Sequence, residues 1–252
     1  MKLAQEVLKA YEAHVLECYP EESCGVQVNG KYIPCKNIHE TPKNAFRIDP
    51  ADLILAGMFG EIEAIFHSHP YHPQDKSVFA YYADPRWASY VDQQQFEAGN
   101  DVWVIVSTDG TGISEPVILD KNEHEPLLER QFIWAKHDCY NLLQDYYKEK
   151  LNIDLPYYPR EWNWWGKGQD LFMERFPKEG WERIPYSAVE VNDICLFKND
   201  SKVANHIGIV CGNNEMMQQG LGSLSRISRL DIYARNVIVY LRYVGKKDVT
   251  NN

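Results

Sequence analysis

The chain has 252 residues, enough for two domains of roughly 100–150 residues each, and its 44% hydrophobic content excludes a disordered tail. A formal net charge of −10 argues against a nucleic-acid partner, because recognition of a phosphate backbone needs a basic face. No stretch approaches the ~20 apolar residues of a membrane span. The N-terminus lacks the apolar core and small-residue cleavage site of a Sec signal. The six cysteines (18, 24, 35, 139, 195 and 211) are irregularly spaced without a CxxC, and read as reduced thiols.

Leu3, Val7, Leu8, Tyr11, Val15 and Leu16 recur at helical spacing and predict an opening amphipathic helix that stops before Pro20. Residues 24–28 and 31–35 flank Asn29-Gly30 and predict a hairpin with a type I′ turn. A helix is expected over 51–59, after Asp49-Pro50, then a strand over 63–69, a helix over 89–98 ending at Gly99, and a buried strand over 101–107. Gly110, Gly112, Pro116 and the polar run 120–126 mark a boundary within 109–126. Beyond it, helices are predicted over 127–135 and 138–150, an irregular aromatic segment over 156–166, and strands over 194–198, 206–211, 215–218 and 237–243.

His67 and His69 stand two apart on a predicted strand, so their imidazoles share one face and can address one metal ion. A catalytic zinc takes three protein ligands and keeps one position open, and an Asp from the following helix would complete a His₂Asp set. The bare HxH pair is weak, since such histidines are often surface or core residues. The order PEESCG (20–25), HSHP (67–70), SYVD (89–92) and WVIVS (103–107) is more specific. It resembles the JAMM/MPN zinc peptidases over roughly residues 1–120. That resemblance implies zinc held by His67, His69 and Asp92, Glu22 as general base, and Ser89 as hydrogen-bond donor to the developing oxyanion. Glu22 is preferred to its neighbour Glu21 because it stands two residues before Cys24-Gly25. The usual spacing after the histidines would land on Ser77 and Ala80, and Ala80 binds no metal. Either the aspartate is lost and the domain is dead, or residues 71–88 hold an insertion and the pair is Ser89/Asp92. The helix and strand that should follow the aspartate begin at Asp92 and favour the insertion. His72 and Asp84 are weaker substitutes as ligands.

Cys139 opens the predicted helix DCYNLLQDYY behind Asp138, a good N-cap. A thiol in the first turn is expected to have its thiolate stabilised by the helix terminus, and a nearby imidazole would lower its pKa further and serve as base. A lone cysteine is more often a small core residue, and Cys195 and Cys211 are read that way. For Cys139, the set DCYNLL, VNDICLF (191–197), NHIGIV (205–210) and EMMQQGLGSLSR (215–226) resembles the NlpC/P60 cysteine peptidases. The resemblance implies Cys139 as nucleophile, His206 as base and Gln218 as the residue that orients the imidazole, with Gln219 the alternative for a one-residue shift. Tyr157, Tyr158, Trp162, Trp164 and Trp165 read first as a loop packed on its domain, and second as a groove wall or docking surface.

The expected fold is therefore mixed α/β, of the α+β kind, in two domains. Residues 1–120 would form a JAMM/MPN-like mixed sheet flanked by helices. Residues 121–252 would form a papain-like NlpC/P60 domain. The fusion itself resembles the tail-tip peptidases of lambda-like phages. That implies other tail-tip proteins and peptidoglycan peptides as partners, no nucleic acid and no membrane span, in the host cytoplasm during assembly or in the tail tip. It leaves three classes of function open: a murein peptidase, a protease acting once on a tail protein, or a structural tail-tip module whose sites are remnants.

Overall fold

The computed structural model describes residues 3–72, 85–99, 101–123 and 125–245. The chain divides into two compact units, Met1–His124 and Glu125–Asn252. Most of the segment 71–88, where an insertion is one of the two readings (residues 73–84, with Ser77, Ala80 and Asp84), lies outside the described residues. Among the described residues, no helix is long and apolar enough to cross a membrane.

In the first unit, helix α1 (Gln5–Cys18) turns Val7, Tyr11 and Val15 inward, as the spacing predicts. Strands β1 (Cys24–Val28) and β2 (Lys31–Cys35) pair across Asn29 and Gly30, whose φ values of 50° and 68° are those of a type I′ turn. Helix α2 (Pro50–Gly57) starts where the Asp49 carboxylate accepts from the Ala51 amide at 2.9 Å, with Pro50 preset for the first helical position. Strand β3 (Ile62–Pro70), helix α3 (Tyr90–Ala98) and strand β4 (Val102–Thr108) follow, and β5 (Val117–Leu119), which sequence patterning missed, closes the edge. The sheet order is β2-β1-β3-β4-β5, and only β3 and β4 run parallel.

A parallel pair needs a crossover, here carrying α3. The crossover returns the N-terminus of α3 to the end of the sheet where β3 finishes. Along β3 the side chains alternate: Ala64 and Phe66 pack on α1, while Ile65 joins the cluster beneath α2. His67 and His69 share the parity of Ile65, so both leave the α1 face.

In the second unit, α4 (Cys139–Leu151) is followed by α5 (Leu171–Arg175), β6 (Trp181–Ile184), β7 (Ile194–Phe197), β8 (His206–Gly212), β9 (Glu215–Gln218), β10 (Arg226–Arg229), α6 (Leu230–Tyr233) and β11 (Val237–Tyr243). The sheet is antiparallel throughout, in the order β10-β9-β8-β7-β11-β6, and α4 packs on β8. Cys195, Phe197, Val210, Met216 and Leu230 form one core cluster. Cys195 is fully buried as expected, whereas Cys211 is only half-buried. All six cysteines are free thiols.

The helix predicted over 127–135 does not form. Glu129 and Ala135 adopt φ values of 66° and 63°, which an α-helix does not allow. The backbone is committed elsewhere: the amides of Glu129 and Arg130 donate to the carbonyl and hydroxyl of Ser225 at 2.9 and 3.1 Å, and Ser225 N donates back to the Arg130 carbonyl at 3.0 Å. Tertiary hydrogen bonds here outweigh a helix propensity worth tenths of a kcal/mol per residue.

The aromatic segment is a packed loop. Trp164 and Tyr158 are buried, Trp162 and Trp165 stack edge-on with Trp134, and the Arg160 guanidinium sits over the rings of Trp134, Tyr140 and Tyr157.

Candidate functional site

The first site is built at the end of β3. His67 Nε2 and His69 Nε2 lie 3.0 Å apart. Asp92, in the first turn of α3, places Oδ1 3.4 Å from His67 Nε2 and Oδ2 3.3 Å from His69 Nε2. Four donors held about 2.0–2.1 Å from a shared centre in a tetrahedron stand about 3.3–3.4 Å from one another. The two histidine–aspartate separations match that edge and the histidine–histidine one is shorter at 3.0 Å, so the residues present fit a zinc-sized ion after a small spreading of the two rings. The His69 Nδ1 proton is directed to the Pro85 carbonyl at 2.6 Å, which turns Nε2 toward the place a metal would take. His67 has no such support: its buried Nδ1 lacks a hydrogen-bond partner, and its ring instead stacks on Phe46 at 4.5 Å.

Ser89 is the N-cap of α3, and it forms a reciprocal capping box with Asp92. Its Oγ accepts from Asp92 N at 3.1 Å, while Ser89 N donates to Asp92 Oδ2 at 2.7 Å. One carboxylate thus caps a helix and faces two imidazoles. Accepting a bond leaves the Ser89 hydroxyl proton available to a ligand.

The antiparallel register of β1 on β3 sets Cys24 opposite His67, so the chain just before β1 runs beside His69 and brings Glu22 there. Glu22 is buried and lines a cavity of about 540 Å³ with His69, Trp87, Ser89 and Asp92. Glu21 is exposed. Burial pushes the Glu22 carboxyl up to about 7; His69 acts against this and Asp92 adds to it. For His69, burial is outweighed by Asp92, which raises the imidazole to about 9, while burial holds fully enclosed His67 below the usual value. His72 is exposed and stands outside the cluster of ligand atoms.

The second site lies where α4 meets β8. Asp138 caps α4, its carboxylate accepting from Tyr140 N at 2.9 Å and Asn141 N at 3.1 Å. The Cys139 sulfur is reached by the backbone N–H of Ile207, the residue after His206. His206 begins β8, and its Nε2 meets Gln218 Oε1 at 2.9 Å. Gln218 is therefore the glutamine that meets the imidazole, while Gln219 turns away to donate to the Ser223 carbonyl at 2.8 Å.

The expected thiolate is not the resting form. Burial pushes the Cys139 thiol up to about 12 and the Asp138 charge adds to this, against the Ile207 amide and Arg160. Burial also holds His206 below its ordinary value, with Gln218 opposing. The thiol and the imidazole both rest neutral, because a desolvated charge costs more than the helix terminus returns. Iodoacetamide labelling of Cys139 should therefore climb about tenfold per pH unit through the neutral range, with no acid plateau. The rate is read as the difference between the native chain and Cys139→Ala, and a flat rate from pH 5 to 8 would contradict the neutral pair.

Arg160 was not legible in the sequence. Its Nη2 meets Asp138 Oδ2 at 2.5 Å and Asn141 Oδ1 at 2.9 Å, with both charged groups buried. It holds the cap behind Cys139 from 22 residues along the chain, in an irregular segment beyond the end of α4 that carries no periodic signal.

These features define a cysteine-peptidase class of domain, and residues 129–241 match the NlpC/P60 family. Tail tip assembly protein K of Escherichia phage lambda is 31% identical over 72% of this chain and 81% of its own length. Tail tip assembly protein K of Escherichia phage N15 is 26% identical over 99% of this chain and 98% of its own. The chain belongs to the tail tip assembly protein K family, with an NlpC/P60 domain as its second half. A solution structure of a protein from Desulfitobacterium hafniense, 18% identical over 48% of this chain and 84% of that one, aligns with a TM-score of 0.34, too distant to define the fold.

Proposed function

We propose that the chain acts in building a phage tail tip and that its second unit is a thiol peptidase cleaving peptidoglycan stem peptides. The observation that carries this reading is Cys139 at the start of α4, against the β8 end where His206 is held by Gln218. The thiol proton passes to His206 as sulfur attacks the scissile carbonyl. The C–N bond then breaks, with the imidazolium protonating the departing amine, and water hydrolyses the thioester. Both groups start neutral, so this transfer develops charge only along the reaction.

The first unit is proposed to be a JAMM/MPN-type zinc-dependent peptidase or isopeptidase acting on a tail protein. His67, His69 and Asp92 would hold the metal, which supplies Lewis acidity toward a carbonyl and a water when bound. Glu22, with its carboxyl near 7, is poised to take a proton from the attacking water and return it to the amine. The Ser89 hydroxyl faces the same cavity and has a proton to donate to the carbonyl oxygen.

Purified sacculi incubated with the whole chain should release cleaved stem peptides, read by mass spectrometry of the soluble muropeptides. Particles assembled with His67→Ala should contain an uncut tail protein. Unchanged sacculi together with normal particles from both site variants would instead mean a structural tail-tip module.

A further inference from the structure

The third member of the thiol site is an amide, and an amide has two faces of similar shape. If Gln218 presents its oxygen to His206, the imidazole carries its proton on Nε2 and leaves Nδ1 bare. If it presents nitrogen, the proton moves to Nδ1 and the basic nitrogen faces away from any thiol beyond it. A carboxylate would not have this ambiguity, so something else must decide it.

We propose that Ser228 and Tyr233 are positioning residues that hold the Gln218 amide with its carbonyl toward His206, and thereby keep the imidazole in the tautomer whose Nδ1 takes the Cys139 proton. Gly208 pairs with Gln218 across β8 and β9, and Gln218 pairs with Arg226 across β9 and β10. His206, Gln218, Arg226 and Ser228 therefore share one face of the sheet by strand parity. Gln218 Oε1 lies 2.9 Å from His206 Nε2, and Gln218 Nε2 donates to Ser228 Oγ at 2.8 Å. Tyr233 ends α6 with its hydroxyl oxygen within reach of Arg226, Gln218 and Ser228, and donation from Arg226 first, then Gln218, holds its pKa below the ordinary tyrosine value.

Both hydroxyls can donate as well as accept, so the contacts and not the donor count set the orientation: Gln218 Nε2 donates to Ser228 Oγ while Gln218 Oε1 faces His206. The amide NH₂ carries two hydrogens, and Ser228 and Tyr233 offer two oxygens. With its proton on Nε2 the imidazole offers one hydrogen, which the Gln218 carbonyl oxygen accepts. Arg226 has no acceptor atom, so it consumes only a lone pair of Tyr233 and never competes as a donor-seeker in the network.

The role in turnover rests on the thiol-peptidase reading, but the tautomer does not. The test uses the whole chain carrying Cys139→Ala, labelled with ¹⁵N-histidine, and long-range proton–nitrogen spectra with His206 assigned by its absence in His206→Gln. The unaltered network should show His206 protonated on Nε2. Combining Ser228→Ala with Tyr233→Phe should give a mixture or the reverse tautomer. In the chain with Cys139 intact, the same pair should lower kcat about tenfold or more with KM within about twofold, and Ser228→Thr should retain native kcat. If the double variant misfolds by circular dichroism, Ser228→Ala alone is read in the same spectra. Retention of the Nε2–H signature without these oxygens overturns the proposal. An intact chain that shows the tautomer yet cleaves no muropeptide removes the peptidase reading instead.

Discussion

Cys139→Ala should lower stem-peptide hydrolysis on the order of 10⁴–10⁶-fold, the scale of deleting the nucleophile from a cooperating catalytic set. His206→Ala should cost a similar factor, and the double variant should be little worse than either alone, because the thiol and the imidazole act as one unit. The loss should not come from unfolding. Cys139 keeps partial access to solvent, and alanine preserves the first helical turn that Asp138 caps. Initial rates on a purified muropeptide and thermal melts of the three variants check both points. Residual activity above about 1% with an unchanged melt would mean that another group attacks the carbonyl.

Asp92→Asn should cost at least about 100-fold in zinc affinity, measured by metal content after dialysis against a zinc buffer. The asparagine oxygen can still accept from Ser89 N, so the helix cap survives while the charge facing both imidazoles is removed. The metal-free site carries its own pH dependence. Asp92 raises His69 to about 9, so at pH 7 this imidazole holds a proton that a metal must displace. Zinc uptake by the stripped protein at pH 7 should release about one proton or more, and affinity should rise with pH up to about 9. Calorimetry in buffers of different ionisation heat reads that number. Stability has the opposite sign: a histidine raised above its unfolded value of about 6.5 stabilises fully below that pH, and the contribution is lost as pH rises through about 9. The stripped first unit should therefore weaken between pH 6.5 and 9 while the loaded one does not. Proton release near zero would show that the ligands are already neutral.

The opening helix, the Asn29-Gly30 hairpin and the strand carrying His67 and His69 were legible because each rests on a local period or a local turn. The helix 127–135 was misread for the same reason: its pattern is helical, but Ser225, far along the chain, captures its backbone. Strand β5 is three residues long, and the four-residue β6 and β10 carry two charged residues each, so they lack the apolar runs that mark the equally short β7 and β9.

Sequence alone determined which residues are chemically competent: two histidines on one strand face, an aspartate behind a capping serine, a cysteine behind a capping aspartate, and a histidine opening a strand. Only the tertiary structure decided which of them meet and in what state. The crossover that joins parallel β3 and β4 carries α3 back to the end of β3 and sets Asp92 3.4 and 3.3 Å from the histidines. Burial decided that Cys139 rests as a thiol, and desolvation depends on everything packed around the sulfur. Arg160 behind the cap and Ser228 behind Gln218 were invisible for a related reason. Each acts through side-chain contacts made only once the irregular chain or the β9–β10 pairing has formed, and such contacts leave no period or spacing to read.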